Sequence, residues 1–252
     1  MPKRRNTPDP AAVREMFAAV APRYDLLNHL LSGDLDRRWR QRAAAAVGLG
    51  RSASTPLVVD VCTGTGDLAM AVLRRWPNAR VLACDLCRPM LARARTKLAA
   101  GGLARRSAVL EADALALPLP DAAADAACCA FGVRNLADEV GGVREMVRVV
   151  RPGGRVVILE FHRPRRGGLL AGIFSLYFRH VLPTLGGWIS TGPCGPVGGR
   201  HGGYAYLVRS IQGFGPPGRL ADVLARADLA DVRVAPLPGG VASLCVGTRR
   251  QA

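Results

Sequence analysis

Between positions 60 and 69 the chain carries Asp60, then Thr63, Gly64, Thr65, Gly66 and Asp67, and finally Ala69. The Gly-x-Gly-x-x-Ala spacing of Gly64, Gly66 and Ala69 lets a chain turn sharply after a strand and brings backbone N–H groups close to a ligand. Asp85 lies 19 residues after Gly66, where a carboxylate at the end of the next strand can accept both ribose hydroxyls of a nucleoside. A third acid, Asp113 in the segment EADALALPLP, stands beside Ala114 after a third strand, where it could receive an adenine amino group. Glycine turn, strand and acid in this order favour a nucleoside ligand.

These residues need elements to position them. Residues 11–31 put Val13, Met16, Phe17 and Val20 on one helical face, Pro22 breaks or restarts that helix, and 36–47 reads as a second one. The first fifty residues therefore form a helical preamble. From there strands at 57–61, 81–84, 107–111, 123–130 and 155–161 alternate with helices at 68–75, 89–99 and 138–149. Short continuous apolar runs fit parallel strands buried on both faces, and this alternation is that of a doubly wound α/β sheet. A basic, Gly- and Pro-rich insert, 163–203, interrupts the pattern. Helices at 204–211 and 218–227 follow, then strands at 232–236 and 241–248 joined by a turn at Gly239 and Gly240. Two strands in immediate succession pair antiparallel. Dinucleotide and S-adenosylmethionine sites share the glycine-loop layout, but a C-terminal antiparallel pair is unusual for a dinucleotide domain, and with Asp113 it favours S-adenosylmethionine. We expect one domain over 1–252, divided into a helical cap (11–50), a cofactor-binding core (57–161), a lid insert (163–203) and C-terminal helices with a strand pair (204–249).

Composition narrows the partners. A chain of 252 residues, 49% of them hydrophobic, is long enough to bury a globular core. Its net charge of +16 attracts anionic partners, yet 33 of the 35 cations are Arg, the lysines being Lys3 and Lys97, so part of the excess reflects Arg-rich composition. Residues 51–150 carry 13 cations and 10 acids, whereas 151–201 carry 7 cations and a single acid, Glu160. The surplus coincides with the apolar run 167–178, flanked by Arg165, Arg166 and Arg179, which reads as a basic amphipathic lid. That run is shorter than the roughly 20 residues of a spanning helix, so the expectation is a chain that is soluble or lies on a membrane. Seven cysteines without the framework of a secreted domain, and no apolar stretch behind the basic N-terminus, point to a reducing cytoplasm. Cys84-x-x-Cys87 with Cys128 and Cys129 has no second spaced pair with His, so buried small hydrophobes rather than metal ligands are expected.

The blocks YDLLNHLLSGDLDRRWR (24–40), VDVCTGTGDLA (59–69), FGVRNL (131–136), RPGGRVVILEF (151–161) and YAYLVRSI (204–211) together resemble the ubiquinone/menaquinone biosynthesis C-methyltransferases. The likeness runs from about Val13 to Arg249. RPGG and the glycine loop are generic to class I S-adenosylmethionine-dependent methyltransferases, whereas the YDLLN and FGVRN blocks are specific to this family. The resemblance implies a seven-stranded, mostly parallel class I sheet, and cofactor contacts at Thr65, Asp85, Asp113 and Ala114. It implies another at Ala130, where some members have Ser, so a hydroxyl contact is missing here. The segment GPCGPVGGRHGG also departs from the shorter acidic loop usual in the family.

Methylating a ring carbon requires an electron-rich ring, which a hydroquinone losing a hydroxyl proton supplies, held in line with the sulfonium methyl. The resemblance makes Arg134 the anchor whose guanidinium stabilises the developing phenolate, with Asn135 orienting the ring or a bridging water. Tyr24 and Asn28, four apart, would close the pocket from the preamble; His201 is a candidate base and Tyr206 a candidate substrate contact. Demethylmenaquinol is the expected substrate, because APRYDLLN with DRRWR looks closer to the menaquinone members than to the ubiquinone ones. A polyprenyl quinol resides in the bilayer, so the basic lid would collect it at the anionic inner face of the cell membrane. Nucleic acid is not expected: the chain lacks a recognisable RNA-binding appendage and has 5% aromatic residues for base stacking. An RNA methyltransferase and an inactive cofactor-binding adapter stand as rivals, and a homo-oligomer is left open.

Overall fold

A computed structural model describes residues 10–50, 55–162, 210, 213–216 and 218–251. The preamble is α1 (Pro10–Val20), a 3-10 turn (Ala21–Arg23), α2 (Tyr24–Ser32) and α3 (Leu35–Ala46). Pro22 causes the break expected of it: without an N–H it fits the first turn of a helix but not the interior. Phe17 meets Tyr24 edge-on across the bend, their centroids 6.0 Å apart.

Strands β1 (Leu57–Val61), β2 (Arg80–Asp85), β3 (Ser107–Glu111), β4 (Ala124–Ala130), β5 (Val150–Phe161), β6 (Leu229–Pro236) and β7 (Ala242–Arg249) form one sheet in the order β3-β2-β1-β4-β5-β7-β6. Pairings from β3 through β5 are parallel, and β7 runs antiparallel to both β5 and β6. The doubly wound sheet with an antiparallel C-terminal pair is as expected. Its β1–β4 junction is the switch point where strand order reverses, the place open α/β sheets bind ligands.

Helices α4 (Asp67–Arg75), α5 (Arg88–Ala100), α6 (Glu139–Val149) and α7 (Gly218–Arg226) complete the layers. One core places Trp39, Leu73 and Leu98 against Val58 and Val157; the other places Val143, Met146, Leu220 and Leu224 against Val59, Val156 and Ile158. The small side chains of β4, Ala-Asp-Ala-Ala-Cys-Cys-Ala, have low strand propensity but let both layers approach closely, so context overrides preference. Of the six described cysteines, Cys84, Cys87, Cys128, Cys129 and Cys245 are buried thiols, as small hydrophobes should be.

Two strand starts differ from expectation by more than one residue. β5 begins at Val150 rather than 155, because the register slips between Ala124 and Ala126 and the RPGG segment bulges, with Gly153 at φ +75°. β6 begins at Leu229 rather than 232, across a second slip around Asp231, at φ 51°. Polar and glycine residues hid both extensions, since a bulge leaves strand alternation unreadable. Trp39 Nε1 donates to Pro238 O at 3.1 Å, fixing the preamble to the C-terminal hairpin. No helix among the described residues is long and apolar enough to cross a membrane.

A Cβ at Gly154 would lie 2.5 Å from the backbone oxygen of Asp125. Gly154→Ala should therefore lower unfolding free energy by about 1 to 3 kcal/mol in urea titration, as overpacking against backbone does.

Candidate active site

The chain after β1 turns through two left-handed residues, Cys62 (φ 56°) and Gly64 (φ 56°), and α4 starts from a third, Gly66 (φ 85°). Such a conformation is costly for any residue but glycine, and its occurrence at Cys62 marks an over-determined loop. A Cβ on Gly66 would lie 3.1 Å from the Ala94 methyl, so this glycine lets α4 and α5 approach. A Cβ on Gly64 would meet only the Tyr24 ring, at 3.8 Å.

Two carboxylates, the buried Asp60 and the half-buried Asp85, hold the loop. Asp60 accepts from Thr63 Oγ1 at 2.6 Å, and burial pushes its carboxyl up to about 7 against the hydrogen bonds from Thr63, Ala69 N–H and Cys128. Asp85 accepts Gly64 N–H at 2.8 Å on Oδ2 and Cys87 N–H at 2.9 Å on Oδ1. Burial raises its carboxyl as well, against the backbone donors of Cys87, Gly64 and Leu86.

Above this loop lies a cavity of about 900 Å³, counting space open to solvent. Tyr24, Gly64, Asp85, Asp113, Ala114, Ala130 and Asn135, all singled out from sequence, line it together. Its walls are otherwise mostly apolar, with Phe17, Leu86, Met90 and Leu136 among them. Asp113 turns its Oδ1 to Leu115 N–H at 2.9 Å. The residues fit a nucleoside: an open glycine cradle, a fixed carboxylate at the end of β2 and a second acid after β3.

Five expected site residues sit off this lining. Asp60 and Gly66 lie beneath it, supporting the loop. Thr65 is 2% exposed and its hydroxyl donates to Asp25 Oδ1 at 2.5 Å. Arg134 is 6% exposed and gives Nη1 to Glu160 Oε1 at 2.5 Å and to Phe131 O at 2.6 Å, Nε to Ser210 Oγ at 3.3 Å, and its backbone N–H to Glu160 Oε2. The guanidinium thus stands at the end of β4 as expected, but it faces Glu160 rather than the described cavity. Asn28 lies beside the Tyr24 hydroxyl one turn along α2, and burial raises that hydroxyl against the opposing effect of Asn28. His201 and Tyr206 lie outside the described residues, as does the insert 163–203.

Sequence reasoning missed Glu160, Asp25 and Lys97. Two of them carried a signal: Glu160 is the lone acid of a basic stretch, and Lys97 is one of two lysines in an Arg-rich chain. It also missed the buried Asp36, which pairs with Arg40 and accepts from Ser32 Oγ at 2.8 Å and meets His29 Nδ1 at 3.1 Å.

Because Asp60 binds its proton more tightly folded than unfolded, its contribution to stability is full below pH 3.8 and is lost as pH rises toward about 7. Asp60→Asn should therefore flatten the fall of unfolding free energy across that window by up to about 1.4 kcal/mol per pH unit, read from urea titrations at stepped pH.

The sequence matches the model of the ubiE/COQ5 methyltransferase family over residues 5–249. It is 47% identical over 239 residues to a demethylmenaquinone methyltransferase of Deinococcus radiodurans, covering 95% of this chain and 93% of the relative. It is likewise 47% identical to one of Thermus thermophilus, over 93% of this chain and all of the relative. A solved S-adenosylmethionine-dependent methyltransferase from Aquifex aeolicus shares the fold at a TM-score of 0.56 and 19% identity, over 83% of this chain and 89% of its own. With the family model spanning the cap, the glycine loop and the terminal strand pair alike, the chain belongs to the ubiE/COQ5 methyltransferase family.

Proposed function

We propose that the chain transfers a methyl group from S-adenosylmethionine to a ring carbon of a polyprenyl quinol, with demethylmenaquinol becoming menaquinol. The observation that carries this reading is one cavity bringing the nucleoside-type residues Gly64, Asp85 and Asp113 together with Tyr24 of α2 and Asn135. The names of the two relatives at 47% identity support menaquinone over the ubiquinone precursor.

Asp85 would take the ribose hydroxyls on the lone pairs its two amide partners leave open, and Asp113 with Ala114 would meet the adenine. When bound, S-adenosylmethionine supplies an electrophilic sulfonium methyl. On the substrate side, the raised Tyr24 hydroxyl stays protonated at neutral pH and can donate to a quinol oxygen. The Asn135 amide, which lines the cavity and gives one hydrogen to Phe131 O at 3.3 Å, would orient the ring. Arg134 would stabilise the developing phenolate through its field, its charge fixed in direction and partly offset by Glu160. Ala130 would contribute backbone alone. Asn28, His201 and Tyr206 remain assigned to the substrate side.

The whole chain would work as one domain in the cytoplasm, peripherally bound to the inner face of the cell membrane. The basic apolar segment 163–203 would collect the quinol from anionic lipid.

With labelled cofactor, purified protein should methylate demethylmenaquinol; no transfer to it or to a polyprenyl benzoquinol, or transfer to total RNA instead, would overturn the reading. Tyr24→Phe should lower kcat by roughly two orders of magnitude, as loss of a transition-state donor does, with little change in donor affinity. Co-sedimentation should rise with the anionic lipid content of vesicles and fall with salt; indifference to both would remove the membrane assignment.

A further inference from the structure

Lys97 projects from α5 into a gap between the cap and the glycine loop. Its ammonium donates to Asp25 Oδ2 at 2.8 Å, to Thr65 Oγ1 at 3.2 Å and to Asp67 Oδ1. An ammonium has three donors, and all three are used. Asp25 belongs to the cap and stands next to Tyr24, which lines the cavity. Thr65 and Asp67 flank Gly66 of the loop. Thr65 closes the triangle by donating its own hydroxyl to Asp25 at 2.5 Å.

The side chains of Lys97, Asp25 and Asp67 are 26%, 25% and 20% exposed, so water screens them only partly. Burial pushes the Asp25 carboxyl up, but the hydrogen bonds from Lys97 and Thr65 and the Lys97 charge outweigh it and leave the group below its usual range. Asp67 continues the chain of charge: Arg40 Nη2 lies 3.9 Å from its second oxygen, Arg40 pairs with Asp36, and Asp36 meets His29. His29 lies four positions after Asp25, so α2 is tied to the same network at two points one turn apart.

The identity of the cation supports a specific task. In a chain where 33 of 35 cations are Arg, a lysine stands where oxygens of three different residues converge. A compact ammonium meets that geometry, whereas a planar guanidinium presents its donors in one plane.

We propose that Lys97 is a positioning residue that clamps Asp25 of the cap onto Thr65 and Asp67 of the glycine loop, so that the wall carrying Tyr24 is set against the cofactor-binding face. Without the ammonium, Asp25 keeps only the Thr65 hydroxyl and Asp67 only the more distant Arg40, no cation joins the two carboxylates, and the cap loosens over the loop. The inference rests on the reading of the cavity as an S-adenosylmethionine site.

The test combines calorimetric titration with S-adenosylmethionine, hydrogen exchange by mass spectrometry, and steady-state kinetics on the full chain. Lys97→Met should raise Kd and KM for the donor about tenfold or more, leave kcat at saturation within about threefold, and speed exchange in 24–32 but not in 139–149. Asp25→Asn, an isosteric change, should move all readings in the same direction by less. The two together should be no worse than Lys97→Met alone, and Lys97→Arg should fail to restore binding. Donor affinity and 24–32 exchange both within twofold of wild type in Lys97→Met, or fully additive effects in the double variant, would overturn the clamp. Exchange quickened equally in 24–32 and 139–149 would overturn it too, marking a general loss of stability. Absence of donor binding by the wild type would instead sink the cavity reading, while the exchange comparison would still decide whether Lys97 holds the cap.

Discussion

The carboxylate of Asp85 holds two strand ends in one geometry. One oxygen takes the Gly64 amide from the turn after β1 and the other takes the Cys87 amide from the turn after β2. A half-buried carboxylate is stabilised by the donors around it, and the donors here are backbone groups that the turns themselves leave unpaired. The glycine loop, the floor of the cavity and the start of α5 all follow from that one set of bonds. So does what α5 presents along its length: Ala94 beneath Gly66, then Lys97 beside Thr65. The proposed cofactor site and the seat of the cap are thus two faces of a single construction.

Asp60 and Glu160 show the same economy at the ends of β1 and β5, on either side of β4. Asp60 is satisfied by a hydroxyl, a helix amide and a thiol, and Glu160 by both the side chain and the backbone of Arg134 and by Phe161 N–H. Removing one member of a buried ion pair leaves the other charge uncompensated, which costs about 3 to 5 kcal/mol. Arg134 is therefore pinned in direction, and Phe161, lying 5.6 Å below its guanidinium, stacks in turn on Phe131 and meets Trp39 edge-on. The aromatic layer and the charged layer brace one another where β4 and β5 end.

Much of this arrangement could be read from the chain alone, and the reason is locality. Strand, glycine turn and helix are encoded over a few residues each, so the parallel core, the break at Pro22 and the places of Gly64, Asp85 and Asp113 follow from spacing. What spacing does not encode is pairing between distant segments. Arg134 could be placed at a strand end, yet its partner lies 26 positions away, and nothing near either residue announces the bond. Asp25 and Lys97, 72 apart, are invisible to any local pattern for the same reason. The bulges before β5 and β6 were hidden differently: an extra residue cancels the alternation by which a strand is recognised.

The position of β7 bears on how the molecule comes to be folded. β5 is twelve residues long, with Val156 to Leu159 fully buried, and its outer partner is a strand made only from residues 242–249. During synthesis some eighty residues must follow β5 before that partner exists. Throughout that interval the nascent chain presents a long apolar edge with unpaired amides and carbonyls, the surface on which strands of other chains add. The sheet is completed late and by its most distant pairing, the kind of long-range contact that slows folding.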